Sequence, residues 1–237
     1  MGSITERIVF YRERIEALRA QYHIEKPVEL MAVTKFVTPE RINEAIEQGG
    51  IRLIGENRPQ ELVQKYNALH LDGVRVHQIG TLQKNKVKYV LGRVCMIESI
   101  DSVALATEID RLAKNRGLSP VECLLEVNIG QEENKGGILP RELFSVYEQI
   151  SALSHISVRG LMTIAPFTAD RAQRIAYFLQ TEKLYERLCK DYLPPRTQPL
   201  LSMGMTDSFE EAILCGADLV RIGTGIFGAR NEANLKL

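Results

Sequence analysis

Short apolar runs alternate with amphipathic stretches along almost the whole chain. The apolar runs are VELMAVT (28–34), IRLIGE (51–56), VRVHQIG (74–80), VCMIES (94–99), VECLLEVNI (121–129), ISVRGLMTI (156–164), PLLSMG (199–204) and DLVRIG (218–223). Runs of this length, bounded by polar and turn-forming residues, predict strands. Between them PERINEAIEQ, RPQELVQKYNAL, QKNKVKYVL, SVALATEIDRLAKN, PRELFSVYEQISAL, DRAQRIAYFLQTEKLYERL and DSFEEAILC carry helical spacing. Another helical stretch, from Ser3 to about Tyr22, precedes the first strand. Ser3 with Glu6, and later Ser208 with Glu211, have the spacing of capping boxes. Parallel strands need crossover helices, so strict alternation predicts a parallel sheet. Eight such units in 237 residues predict an α/β fold, a closed (β/α)8 TIM barrel with an extra N-terminal helix. An open doubly wound sheet is the alternative if one strand fails. No linker or shift of composition divides the chain, so 1–237 reads as one domain.

Composition narrows the function. Lys plus Arg equals Asp plus Glu at 30 each, so the formal charge is zero. A general nucleic-acid binder needs a positive excess, and that class is set aside. No apolar run approaches the roughly 20 residues that span a bilayer, and the charged N-terminus is unlike a secretory signal. Cys95, Cys123, Cys189 and Cys215 are widely separated, as expected of reduced thiols in a cytoplasmic protein. His23, His70, His77 and His155 lack metal-ligand spacing.

A barrel places chemistry at the C-terminal ends of its strands, and often a phosphate after strands seven and eight. Lys35 ends the first strand. There it is either a strand-end cation reaching water or an amine nucleophile able to condense with an aldehyde. Asn57, in GENR after strand two, is a ligand contact or a helix cap. His77 lies within strand three, as a satisfied core residue or a ring contact. Lys84, Lys86 and Lys88 give the next helix a basic face, which reads as a solvated surface. Glu126 and Asn128 share one side of strand five, and Lys135 reads as a loop lysine. Ser202 and Gly204 in the seventh strand, with the helix after it, form one small-residue turn. Gly223, Thr224 and Gly225 form a second beside it. Each reads as a structural turn or an anion cradle, and the adjacent pair matches the barrel phosphate position. Arg221 interrupts the apolar eighth strand and needs an acceptor, a carboxylate or a ring nitrogen. An aldehyde for Lys35, a phosphate for Ser202, Gly223 and Thr224, and a flat ring with an acceptor for Arg221 together describe pyridoxal 5′-phosphate (PLP).

AVTK (32–35), IGENRPQE (54–61), HQIGTLQKNK (77–86), EVNIGQEENKGG (126–137), GLMTIAP (160–166) and LSMGMTDSFEEAI (201–213) through VRIGTGIFGAR (220–230) occur in order. By these motifs the chain resembles the pyridoxal-phosphate homeostasis proteins, single-domain fold-type III PLP-binding barrels related to the N-terminal domain of alanine racemase. The resemblance implies that Lys35 holds PLP as a Schiff base, that Ser202, Gly223 and Thr224 bind its phosphate, and that Arg221 faces the pyridine nitrogen. It also implies that Asn57, His77 and Met162 line the pocket. The family's residues flanking the histidine are replaced here by Val76 and Gln78, and its common aspartate at position 208 by serine.

The function so implied is intracellular PLP homeostasis and amino-acid and keto-acid balance, without robust catalysis. An arginine at the pyridine nitrogen weakens the ring as an electron sink. Racemisation also needs bases on both faces of the substrate carbon. The related racemases supply the second from another domain, and only nine residues follow Gly228 here. A weak PLP-dependent amino-acid racemase is the alternative, and a sugar-phosphate barrel enzyme a third. The expected partner is PLP, with apo PLP-dependent enzymes or amino acids as candidate recipients, and a monomer is expected.

Overall fold

The computed structural model describes residues 2–229. Its eight strands are β1 (Glu29–Val33), β2 (Leu53–Glu56), β3 (Arg75–Gln78), β4 (Met96–Ile100), β5 (Val121–Val127), β6 (Ile156–Thr163), β7 (Leu200–Met205) and β8 (Leu219–Ile222). All pair in parallel with their sequence neighbours, and β8 closes on β1 with Met31 opposite Arg221. Every predicted strand is present, and the ring is closed rather than open. The helices are α1 (Ile4–Gln21), α2 (Pro39–Glu47), α3 (Pro59–Lys65), α4 (Val87–Val90), α5 (Val103–Asn115), α6 (Leu143–Ser151), α7 (Arg171–Asp191), α8 (Phe209–Leu214) and α9 (Thr224–Phe227). Among the described residues, no helix is long and apolar enough to cross a membrane.

The helix α1 buries Ile4, Ile8, Tyr11, Ile15 and Leu18, a 3–4 spacing that puts one face against the barrel. Its Ser3–Glu6 capping box is formed on both sides. The second expected box is not. Ser208 is the N-cap of α8 but its hydroxyl accepts from the Met205 N–H, and Glu211 turns to Arg174 and Arg171. Two nearby guanidiniums outcompete a backbone amide for that carboxylate. The predicted helix over 83–91 is shorter than expected, a 3₁₀ turn at Lys84–Lys86 running into the single turn of α4. Its lysines are solvent-facing, as read.

Side chains alternate between two environments along each strand. Outward residues join the helices in one continuous apolar layer. Inward, Met31, Val33, Leu53, Ile79 and Leu219 form one apolar cluster and Met96, Leu124 and Met162 another, with Leu200 packed against both. The barrel interior is therefore a packed core whose polar content is concentrated on β3, β4, β7 and β8. Gly204 has φ of 91°, and a Cβ there would lie 2.5 Å from Ala212 Cβ, so only glycine lets α8 pack this close to β7.

Candidate binding site at the barrel mouth

One cavity of about 200 Å³ opens at the C-terminal ends of the strands. It gathers five of the sequence-predicted residues: Lys35, Asn57, Arg221, Gly223 and Thr224. These come from the exits of β1, β2 and β8, brought together only by closure of the ring. Met205 at the end of β7, Thr206 and Asp207 after it, Ile79 after β3 and Ile164 after β6 complete the lining with Val33. A larger cavity of about 480 Å³ lies beside it under the loop after β6. It shares Ile164, Met205, Asp207 and Arg221 with the first but does not include Lys35. Of the two, the smaller cavity is lined by Lys35, Asn57, Gly223 and Thr224.

The turn that carries Lys35 is held from outside the cavity. Lys65, at the end of α3 and almost fully buried, lies 2.5 Å from Glu56 and 2.9 Å from Glu61 and donates to the Thr34 carbonyl (2.8 Å). Glu56 also accepts from the Thr34 hydroxyl and from the Asn57 and Arg58 N–H groups. Glu61 accepts from the Phe36 N–H (2.7 Å), and the Arg58 guanidinium lies over the Phe36 ring. Phe36 has φ of 61°, unusual for a side chain of its size. These contacts over-determine that conformation and fix the point from which Lys35 departs. The sequence offered one sign of this network, the i, i+4 spacing of Glu61 and Lys65, which ordinarily marks a solvated helix face.

The exit of β2 is pinned to that of β3. Gln78 donates to the Asn57 and Gly80 carbonyls (3.0 and 2.9 Å), so this departure from the family pattern ties two strand ends together. A Cβ on Gly80 would lie 2.5 Å from the Asn57 carbonyl oxygen. Asn57 Oδ1 is buried without a hydrogen-bond partner, an acceptor left for a ligand. At the opposite rim the Thr224 hydroxyl lies 3.4 Å from that of Thr206, which also accepts from the Gly225 N–H at 3.4 Å. Two hydroxyls and a turn of small residues thus face each other where an anion was expected. Thr206 was missed because serine, threonine and glycine crowd that motif and only the register singles it out.

His77, Met162 and Ser202 lie deeper and do not line this cavity. Met162 belongs to the apolar interior. The other two belong to a buried chain of polar groups across the barrel. His77 Nδ1 is 2.6 Å from Glu98 Oε1, Ser202 Oγ donates to Glu98 Oε2 (2.6 Å), and Arg221 Nη1 donates to Ser202 Oγ (2.6 Å). Arg221 Nη2 donates to the Thr163 carbonyl (2.8 Å). The acceptor that Arg221 required is therefore a serine hydroxyl and a carbonyl, with Glu98 as the carboxylate behind them. Burial alone lowers the His77 pKa, but its hydrogen bonds with Cys95 and Glu98, and the Glu98 charge, outweigh this and raise it to about 9. Burial raises that of Glu98, but His77, then Arg221 and Ser202, hold it below the usual carboxylate range. Glu126 is pushed up to about 7 by burial and then by Asp101, with Arg221 opposing. Asn128 is spent on its own loop, donating to the Glu132 and Lys135 carbonyls, and Lys135 pairs with Glu132.

The His77 shift sets a pH dependence. Its pKa is raised on folding, so its contribution is complete below about pH 6.5 and is lost as pH rises through 9. The unfolding free energy from urea titration should fall over this window by up to about 3.5 kcal/mol, at about 1.4 kcal/mol per pKa unit. A His77→Gln protein should be flatter there. Equal slopes for the two proteins would exclude a buried imidazolium.

The chain matches the family model described as "Alanine racemase, N-terminal domain" over residues 11–231. It is 41% identical to the pyridoxal phosphate homeostasis protein of Aquifex aeolicus (strain VF5), covering 95% of this chain and 97% of that one. A crystal structure of an unknown protein from Bifidobacterium adolescentis superposes with a TM-score of 0.88 at 37% identity, covering 94% of each chain. PipY of Synechococcus elongatus PCC7942, solved with PLP bound, superposes with a TM-score of 0.76 at 32% identity, covering 90% of this chain and all of that one. Near-complete coverage in both directions, at identities well above those of shared fold alone, shows that this chain belongs to the pyridoxal phosphate homeostasis protein family.

Proposed function

We propose that this chain binds PLP covalently through Lys35 and serves PLP homeostasis and amino-acid and keto-acid balance, without robust catalysis. The observation that carries this reading is that one cavity holds an amine, a buried guanidinium and a small-residue turn with two hydroxyls. PLP needs those three features at its aldehyde, its ring nitrogen and its phosphate. The PLP-bound PipY structure supports the choice of ligand. Asn57, with its unmatched amide oxygen, adds a polar contact at the ring's edge.

When bound, PLP supplies an aldehyde carbon that condenses with amines and a ring that withdraws electrons. Lys35 Nζ provides the amine. Arg221, whose charge is held in place by Ser202 and Thr163, would face the ring nitrogen and disfavour its protonation. The hydroxyls of Thr224 and Thr206 and the backbone N–H groups around Gly223 hold the phosphate. His77 and Ser202 support the floor from below, and Met162 packs beneath it. We place the protein in the cytoplasm as a monomer, and its four cysteines are unpaired, as suits a reducing compartment.

A weak amino-acid racemase is the second reading. Besides Lys35 and Arg221, Asp207 is the ionisable side chain on the cavity wall. An arginine is never a base at neutral pH, so among the described residues that line the cavity Asp207 is left as a partner for Lys35.

Borohydride reduction of the PLP-loaded protein, followed by peptide mass mapping, should place a pyridoxyl label on Lys35. A label elsewhere, or none, overturns the site. Exchange of the α-hydrogen of amino acids for deuterium, followed by NMR, should be far slower than dedicated turnover. Rates in the range of roughly 1–1,000 per second would replace homeostasis by catalysis.

A further inference from the structure

We propose that Glu98 is a positioning residue for the PLP site, setting the direction in which Arg221 donates although it does not line the cavity. The proposal rests on the PLP reading above. Glu98 accepts at both oxygens, from His77 at one and from Ser202 at the other. With its carboxylate ionised it has no proton to give, so Ser202 must direct its single hydroxyl proton toward Glu98. A Ser202 lone pair is then turned toward Arg221, whose Nη1 donates to it. Each bond dictates the next, and the order begins at the carboxylate.

Charge points the same way. Arg221 is buried, and Glu98 and Glu126 are the carboxylates that act on it. Of these, Glu98 is fully buried and tied to the guanidinium by a continuous hydrogen-bonded path. An amide at position 98 has one acceptor oxygen for two donors, and with that oxygen kept on the His77 N–H its NH2 group would face the Ser202 oxygen. The hydroxyl would then face two donors, with no acceptor for its own proton. The guanidinium would lose its fixed partner and its main buried counter-charge together.

The test uses the full chain as wild type, Glu98→Gln, Ser202→Ala, Arg221→Gln and Glu98→Gln/Arg221→Gln, all at one pH. PLP affinity, the visible absorption of bound PLP and thermal melting are measured for each. Glu98→Gln and Ser202→Ala should each weaken PLP about tenfold and move the absorption band in the direction that Arg221→Gln moves it. Adding Glu98→Gln to Arg221→Gln should change the band no further, because both act on one group. A folded Glu98→Gln protein with wild-type band and affinity overturns the inference. So does an equal, additive effect in the Arg221→Gln background, which would mark a general loss of stability. If Glu98→Gln fails to fold, Ser202→Ala decides, and a wild-type spectrum there is equally fatal. Wild-type protein that takes up no PLP defeats the functional reading and this inference with it, whereas wild-type binding matched by the variants defeats the inference alone.

Discussion

The Lys35→Ala protein should fold and fail to retain PLP. Lys35 stands two residues beyond the end of β1, where Ala32 pairs with Ile54 and Val33 with Gly55. Truncation leaves those pairs, the Thr34 contacts and the Phe36–Glu61 bond untouched. Stability should change by less than about 1 kcal/mol, as for substitutions away from the core. Binding should fall by about a hundredfold or more, because the covalent link goes together with charge-assisted contacts worth about 1.5–3 kcal/mol each. What remains is the phosphate held by the Thr206–Thr224 rim, which gives weak and rapidly reversible uptake. Gel filtration of PLP-loaded protein with absorbance detection reads the difference. An unchanged visible spectrum in the alanine protein would place the amine elsewhere.

The largest loss of stability should follow Lys65→Ala. Lys65 is 6% exposed and Glu56 is not exposed at all. Removal of the ammonium leaves a buried carboxylate without its counter-charge and the Thr34 carbonyl without its donor. Breaking a buried pair in this way costs about 3–5 kcal/mol. A Glu56→Gln/Lys65→Met double variant should recover part of this, because the fully buried charge is gone and only the partly exposed Glu61 loses its partner. The substitution should also weaken PLP, although Lys65 never touches the cavity, since the turn bearing Lys35 loses its anchor. Urea denaturation checks the first effect and PLP titration the second. A loss under about 1 kcal/mol would mean that the pair is hydrated.

The barrel was legible because its strands are short apolar runs separated by helical spacing, and that rhythm depends only on neighbours in sequence. Lys35, Arg221 and the Gly223–Thr224 turn were legible for a similar reason. Each is polar at the end of an apolar strand, where barrel geometry leaves few alternatives. Glu98 and Lys65 were not. Glu98 looked like the polar end of VCMIES, yet its partner Ser202 is 104 positions away. Which face of β4 it occupies depends on the register with β3 and β5, including a shift between Ile97 and Ile100. Lys65 lies in a stretch of helical spacing, and nothing local to that stretch shows that its ammonium reaches Glu56 and the Thr34 carbonyl. The Ser208–Glu211 spacing misled because Arg171 and Arg174, on α7, are invisible to a local motif. Ser202 was expected to contact a phosphate, but its hydroxyl lies between Glu98 and Arg221 inside the barrel rather than at the rim.

The polar chain from His77 to Arg221 joins β3, β4, β7 and β8 straight across the lumen, with Thr163 of β6 added at its end. Such a crossbeam ties five of the eight strands together below the mouth. A floor braced in this way has few side chains left to order when a ligand docks, so less conformational entropy is lost there.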